Sequence, residues 1–131
     1  MASRSSMSIR LELFVRDLGA AVAFYTGVLG FDLIREDPAY SSLRQGGVVL
    51  GLGPISKLPP DGGYFTRDIA DLRRGLGVEI VLEVYDLDAY HARVLASGYP
   101  IFEHLRERPW GLRDFRVVDP DGYYLRITSK R

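Results

Sequence analysis

Charged and aromatic side chains alternate with apolar ones near the start of the chain, and this spacing gives them a common direction. Arg10, Glu12 and Phe14 are separated by single apolar residues. Successive side chains of a strand point to opposite faces of a sheet, so the apolar set is predicted to face a core. The other set could bind a charged, flat molecule through ion pairs and ring contacts. A solvated sheet face is the alternative interpretation.

The same alternation recurs in two later segments. Glu79 and Glu83 share one face of a strand predicted over 79–84, and Tyr124 and Arg126 share one face of the last predicted strand. Arginines could pair with a carboxylate or phosphate of a ligand, and glutamates could pair with an amine. Two sheets with such faces would enclose a polar cleft that contains aromatic rings.

Residues for covalent or metal chemistry are scarce. The chain has no cysteine, which excludes disulfides, thiolate metal sites and cysteine nucleophiles. His91 and His104 have no second histidine or carboxylate at ligand spacing and are interpreted as surface or rim residues, with an acid–base role for His104 as the alternative. No glycine-rich phosphate loop or Ser-His-Asp arrangement occurs. The sequence therefore predicts no catalytic residue.

An internal repeat indicates how these segments are positioned. Residues 13–23 resemble residues 82–92, and in each copy a strand is followed by an aspartate, Asp17 or Asp86, that can cap a helix. A repeat of about half the chain predicts one duplicated module rather than a solenoid. Three further strands follow each helix. The expected fold is α+β, with two βαβββ modules over 9–52 and 78–131 that form curved mixed sheets with helices on the outer face.

Residues 53–77 are predicted to be a long connection with one short polar helix around residues 66–74. Tyr64 and Phe65 in this connection could close over a ligand as a lid. Trp110 offers a large flat ring for stacking, with ordinary packing as the alternative. Arg113 follows it and is a third candidate for pairing with an anionic group.

Composition narrows the class of protein. The chain has 131 residues, 47% of them hydrophobic, which suits one compact domain. The 17 basic and 17 acidic residues balance, which argues against nucleic-acid binding, and no apolar run is long enough for a membrane span. Residues 1–8 are predicted to be a disordered leader rather than a secretory signal. The lack of cysteine favours a cytoplasmic location.

Several motifs in this order resemble the vicinal oxygen chelate superfamily, which contains glyoxalases, bleomycin resistance proteins and dioxygenases. The motifs are Arg16-Asp17-Leu18 after the first strand, Phe24-Tyr25 before Gly27-Val28-Leu29-Gly30-Phe31, and the closing Asp119-Pro120-Asp121-Gly122. Together the resemblance covers residues 9–128. Pro109-Trp110-Gly111, followed by Arg113 and Phe115, is most similar to the bleomycin-resistance branch.

Metal-using members of that family hold an ion with histidine and glutamate at four strand positions, two in each module. The positions that match are Arg10, Gly51, Glu79 and Arg126. Arginine stays protonated and has no lone pair to donate, and two guanidinium groups repel a divalent ion. The resemblance therefore implies no metal and no cofactor at the family site. A displaced site of Glu12, Glu79 and Glu83 is the alternative, and Arg10 and Glu79 could instead pair with each other.

Three functions remain open at this stage. The first is a metal-free protein that sequesters an aromatic or charged small molecule, such as an antibiotic, in a cleft of a homodimer. The second is a lyase, isomerase or dioxygenase with an altered metal site, and the third is an interaction module with a vestigial cleft. The candidate ligand-binding residues are the charged and aromatic residues of the strand faces and loops: Arg10, Glu12, Phe14, Tyr64, Phe65, Glu79, Glu83, Trp110, Arg113, Tyr124 and Arg126.

Overall fold

Two four-stranded mixed sheets and two helices form the protein in the computed structural model, which describes residues 6–130. The first sheet has the strand order β1-β4-β3-β2, and the second has the order β5-β8-β7-β6. In each sheet the first strand of the module runs parallel to the last, and the other pairs are antiparallel. This confirms the predicted α+β fold. Residues 1–5 of the predicted leader lie outside the described residues.

The helices and strands occur in the same order in both modules: a strand, a helix and three further strands. The strands of the first sheet are β1 Leu11–Val15, β2 Asp32–Asp37, β3 Tyr40–Gln45 and β4 Val48–Pro54. Those of the second sheet are β5 Ile80–Val84, β6 Glu103–Glu107, β7 Arg113–Val118 and β8 Tyr124–Ser129. The helices are α1 Leu18–Ala23 and α2 Leu87–Ser97, and short 3₁₀ turns cover Ile55–Lys57 and Arg67–Asp71.

Both helices begin at the predicted aspartates. The carboxylate of Asp17 accepts from the amide of Ala20, and that of Asp86 accepts from the amide of Ala89, both at 3.0 Å. These bonds satisfy amides that have no partner within the helix. Helix α2 ends at Gly98, whose φ of 78° lies in the left-handed region that glycine adopts without strain.

Two elements differ from the sequence-based expectation. The sequence predicts one helix that extends from Leu18 to its closing glycines Gly27 and Gly30, but α1 ends at Ala23 and a π-helical turn covers residues 24–28. The hydroxyl of Thr26 donates to the carbonyl of Val22 at 2.7 Å, and a side chain that enters the helical ladder in this way widens it. The sequence also predicts a strand near residues 100–104, but β6 begins at Glu103. Tyr99 instead packs against the ring of Phe24, and its hydroxyl donates to the carbonyl of Val118 at 2.6 Å.

One hydrophobic core joins the two modules. It contains the apolar faces of both sheets together with residues of α1, the π-helical turn and α2. Leu13 and Leu52 from the first sheet and Phe115 and Ile127 from the second are at most 7% exposed. Because the apolar faces of both sheets are buried in this core, their other faces lie on the sides away from it. These are called the first and second polar faces below.

Side chains of the second module tie it to the main chain of the first. The hydroxyl of Tyr123 donates to the carbonyl of Phe14 at 2.9 Å, and Nε of Arg93 donates to the carbonyl of Val28 at 3.0 Å. The hydroxyl of Tyr90 donates to the carbonyl of Leu29. These bonds reinforce the shared core at the boundary between the modules.

A buried tyrosine and aspartate form a side-chain bond across the same boundary. The hydroxyl of Tyr25 donates to Oδ2 of Asp119 at 2.7 Å, and both residues are almost fully buried. Burial raises the pKa of Asp119, although the hydrogen bond from Tyr25 opposes this. We expect Tyr25→Phe to lower the free energy of unfolding by about 1–3 kcal/mol, because it leaves a buried carboxylate oxygen without this donor.

Chemical denaturation of the two proteins measures this loss. Tyr64→Phe is the matched control: the side chain is 95% exposed, so the change should stay within about 0.5 kcal/mol. Equal stability of Tyr25→Phe and the wild type would show that the bond does not stabilise the junction.

Candidate functional site

The first polar face carries a carboxylate held by two neighbours. The hydroxyl of Tyr40 lies 2.9 Å from Oε1 and 2.8 Å from Oε2 of Glu12, and Nε of Arg10 lies 3.3 Å from Oε1. Partial burial and then the bond to Glu12 raise the pKa of Tyr40, so its hydroxyl remains a donor. The negative charge of Glu12 is thereby balanced on the protein itself.

Gly51 makes this arrangement possible. It lies directly opposite Glu12 in the parallel pairing of β1 with β4. A Cβ atom at residue 51 would overlap both the carboxylate of Glu12 and the hydroxyl of Tyr40. The carboxylate of Glu12 therefore lies over the backbone of Gly51, the position where the family resemblance placed a metal-ligating glutamate.

An aromatic pair covers the other end of this face. The ring centroids of Phe14 on β1 and Phe65 in the connection are 4.7 Å apart, and those of Phe65 and Tyr64 are 5.1 Å apart. Tyr64 is 95% exposed and Phe65 is 47% exposed. The connection thus places Phe65 against Phe14 and Tyr64 beside Phe65, and much of the surface of Phe65 and Tyr64 is free for a flat ligand.

On the second polar face, Arg126 pairs with Glu79. Nη2 of Arg126 lies 3.3 Å from Oε1 of Glu79, and Nε of Arg126 is buried without a hydrogen-bond partner. Tyr124 lies two residues before Arg126 on the same face of β8, and its ring contacts that of Phe102 at 5.8 Å. This face therefore places the guanidinium group of Arg126 beside two aromatic rings.

Beside Arg126, strands β6 and β7 carry a network of buried and partly buried charged side chains. Asp114, which is 1% exposed, has one carboxylate oxygen 2.8 Å from Nε of Arg108 and 3.3 Å from Nε of Arg116. Glu103 accepts from Nη1 of Arg108 at 3.1 Å. Arg116 lies directly opposite Arg126 in the β7–β8 pairing, so the network supports the strand that presents Arg126.

The arginines determine the ionisation of Asp114. Burial alone would raise the pKa of its carboxyl group, but hydrogen bonds and charges from Arg116 and Arg108 outweigh burial and lower it. The folded-state pKa lies below the unfolded value. The ionised carboxylate therefore stabilises the fold above the ordinary aspartate range, and this contribution is lost as the pH falls.

The structure does not bring all the predicted site residues together. Arg113 lies one residue before Asp114 on β7, so its side chain leaves the sheet on the side opposite to Arg126. It forms a two-bond pair with Asp88 of α2, at 3.0 and 2.9 Å. Arg113 therefore lies apart from the second polar face, on the side of the sheet that carries α2.

The suggested pair between Arg10 and Glu79 does not form within one chain. Arg10 pairs with Glu12, and Glu79 pairs with Arg126, so each ion pair stays within its own sheet. The reason is the shared core, which places the two polar faces on different sides of one chain. Glu83 is exposed on the edge strand β5, and Trp110 is 55% exposed in the β6–β7 hairpin.

Sequence reasoning missed several site residues. Tyr40, Phe102 and Asp114 were not selected, although strand alternation could have placed Tyr40 and Asp114 on the polar faces. The contact between His91 and His104 was missed because 13 residues separate them and α2 and β6 bring them together only in the folded chain. Among residues 6–130, no group of three or more His, Asp or Glu side chains is arranged to hold a metal ion.

Comparison with known proteins adds a family match. The family model described as Glyoxalase/Bleomycin resistance protein/Dioxygenase superfamily matches residues 9–127. A bleomycin resistance protein of Klebsiella pneumoniae is 27% identical over 119 residues, which are 87% of this chain and 85% of that protein.

Solved structures share the fold. TioX from Micromonospora sp. ML1 has a TM-score of 0.72 and 26% identity, covering 94% of this chain and 98% of that chain. A glyoxalase/bleomycin resistance protein/dioxygenase from Nocardioides has a TM-score of 0.76 and 24% identity, covering 97% of this chain and 85% of that chain. No helix in the described part of this chain has the length and apolar character needed to cross a membrane.

Proposed function

Since the chain belongs to the glyoxalase/bleomycin resistance protein/dioxygenase superfamily, we propose that it is a binding protein that sequesters an aromatic or charged small molecule without a metal in its cleft. This proposal rests on one observation: arginines held in ion pairs replace side chains that would bind a metal. The family resemblance matches Arg10 and Arg126 to two positions where metal-using relatives hold an ion, and each of these arginines pairs with a carboxylate. Neither guanidinium group can donate a lone pair to a metal.

The groups around these ion pairs suit a flat ligand. Phe14 and Phe65 on the first polar face, and Tyr124 and Phe102 on the second, supply rings with exposed surface. Rings stack on flat molecules, and a guanidinium group such as that of Arg126 pairs with a carboxylate or phosphate. An antibiotic with an aromatic system and an ionised group has this chemistry, and the bleomycin resistance relative supports that class.

We further propose that the cleft forms between two chains. The two polar faces of one chain lie on different sides of its core, so a ligand cannot contact both within a monomer. A symmetric dimer can place the first polar face of one protomer opposite the second polar face of the other, and this gives two equal clefts. The proposal includes a cytoplasmic location, which rests on the absence of cysteine from the sequence.

Trp110 provides the test, because it is the only tryptophan. We expect its fluorescence to change with saturation when bleomycin, acridine orange or 1-naphthoate is titrated into the protein. Trp110→Ala should weaken binding of the responding compound about tenfold by calorimetry, since an exposed aromatic anchor contributes on that scale. The free energy of unfolding of Trp110→Ala should differ from that of the wild type by less than about 0.5 kcal/mol, because the side chain of Trp110 is 55% exposed.

Tyr85→Ala is the matched control. Tyr85 is 87% exposed and stacks with Lys130 beside strand β5, so its loss should leave ligand affinity unchanged. If none of the three compounds changed the fluorescence, the result would count against a small-molecule binding function. It would favour the alternative of an interaction module with a vestigial cleft. Stoichiometric Mn, Fe, Ni or Zn bound at Arg126 would instead favour an enzyme of the superfamily.

A further inference from the structure

Two histidines from different elements meet on the helix side of the second sheet. Nε2 of His91 on α2 lies 3.4 Å from Nδ1 of His104 on β6. The rings are almost perpendicular, with centroids 5.6 Å apart, and the His91 ring also packs against Phe115, a core residue. The pair is thus held by the packing of α2 on the sheet and lies away from both polar faces.

The separation of the two nitrogens is long for a hydrogen bond but suits a shared metal ion. Donor–acceptor distances for N–H groups cluster below about 3.2 Å. Two nitrogen ligands at about 2.0–2.1 Å from a tetrahedral ion lie roughly 3.4 Å apart. The amide of Leu105 also faces Nε2 of His91, again at 3.4 Å, so the lone pair of that nitrogen has only weak donors. If an ion replaced this contact, the amide of Leu105 on the edge strand β6 could bond to water instead.

A nearby carboxylate favours a cation at the pair. Asp88 lies three residues before His91 on α2, near the same side of the helix, and supplies negative charge close to the pair. Arg113 pairs with Asp88 and offsets part of that charge.

We propose that His91 and His104 form a binding site for a divalent transition metal ion, with water completing its coordination. Imidazole nitrogens suit Zn²⁺, Ni²⁺ and Cu²⁺ rather than Mg²⁺ or Ca²⁺. Among residues 6–130, no third histidine or acidic side chain lies close enough to be a ligand, so the remaining coordination positions of the ion would be open to water. It would link α2 to β6 and stabilise the second module, because an ion that binds only the folded state raises its stability.

The experiment uses the full chain without an affinity tag, stripped of metal by a chelator. Calorimetric titration with ZnCl₂ and NiCl₂ should show one ion per chain, and both ions should raise the Tm by several degrees while MgCl₂ has no effect. His104→Gln should weaken Zn²⁺ binding at least tenfold and abolish the rise in Tm. His104 is exposed, so this variant is expected to fold.

Glu79→Gln is the matched control, because it removes a carboxylate from the second polar face and should leave Zn²⁺ binding unchanged. Wild type and His104→Gln binding Zn²⁺ equally well would overturn the proposal, as would the absence of binding at millimolar Zn²⁺. If Glu79→Gln lost Zn²⁺ binding and His104→Gln kept it, the ion would lie on the second polar face, and the proposed histidine site would also be overturned.

Discussion

Replacing Asp114 by alanine should lower the free energy of unfolding by about 3–5 kcal/mol, because it removes the carboxylate that two arginines share. Asp114 is 1% exposed and pairs with Arg108, whose side chain is 4% exposed, and with Arg116. Alanine removes the carboxylate but leaves the two guanidinium groups buried with only Glu103 to balance them. Thermal unfolding should show a fall in Tm of about 10 °C or more.

The neighbouring residue gives a matched control. Arg113→Ala breaks the pair with Asp88, whose side chain is 68% exposed, and should cost no more than about 1 kcal/mol. Asp114→Asn keeps the shape and one acceptor oxygen, so it should fall between the other two variants and remain measurable even if Asp114→Ala does not fold. If all three variants matched the wild type, the buried network would have no role in stability.

Mixing two binding-deficient variants should restore about a quarter of the ligand sites if the cleft forms between protomers. One variant carries Phe14→Ala on the first polar face, and the other carries Arg126→Ala on the second. Each homodimer is expected to bind the responding compound of the titration panel at least tenfold more weakly, because both of its clefts are altered. In a mixed dimer, one cleft combines the two intact faces and the other combines the two altered faces.

The control mixture contains wild type and a chain with both substitutions. Clefts between protomers would leave about a quarter of the sites intact in this mixture as well, whereas clefts within one chain would leave about half. Calorimetric stoichiometry measures both fractions after the chains have been unfolded and refolded together. Failure of the first mixture to recover any sites, with half retained in the second, would contradict the proposed dimer cleft.

Strand alternation and helix capping could be predicted from the sequence because they are local. The aspartates at 17 and 86 begin the helices, and the alternation in β1 and β8 separates core residues from polar ones. The ion pair between Glu79 and Arg126 could not be predicted, since it depends on which residues of adjacent strands lie side by side. Arg116 and Arg126 became neighbours only through the β7–β8 register, and Gly51 gained its role only through its pairing with Glu12.

Three of the bonds between the modules impose unequal evolutionary constraints on the two halves of the gene. Tyr90, Arg93 and Tyr123 all donate from the second half, and each of their acceptors is a main-chain carbonyl of the first half. A carbonyl persists whatever side chain its residue carries, so codons 14, 28 and 29 can drift without loss of these acceptors. The three donors have no such freedom. At these three bonds a duplicated module can therefore diverge faster on the accepting side, whereas the bond from Tyr25 to Asp119 constrains one side chain in each half.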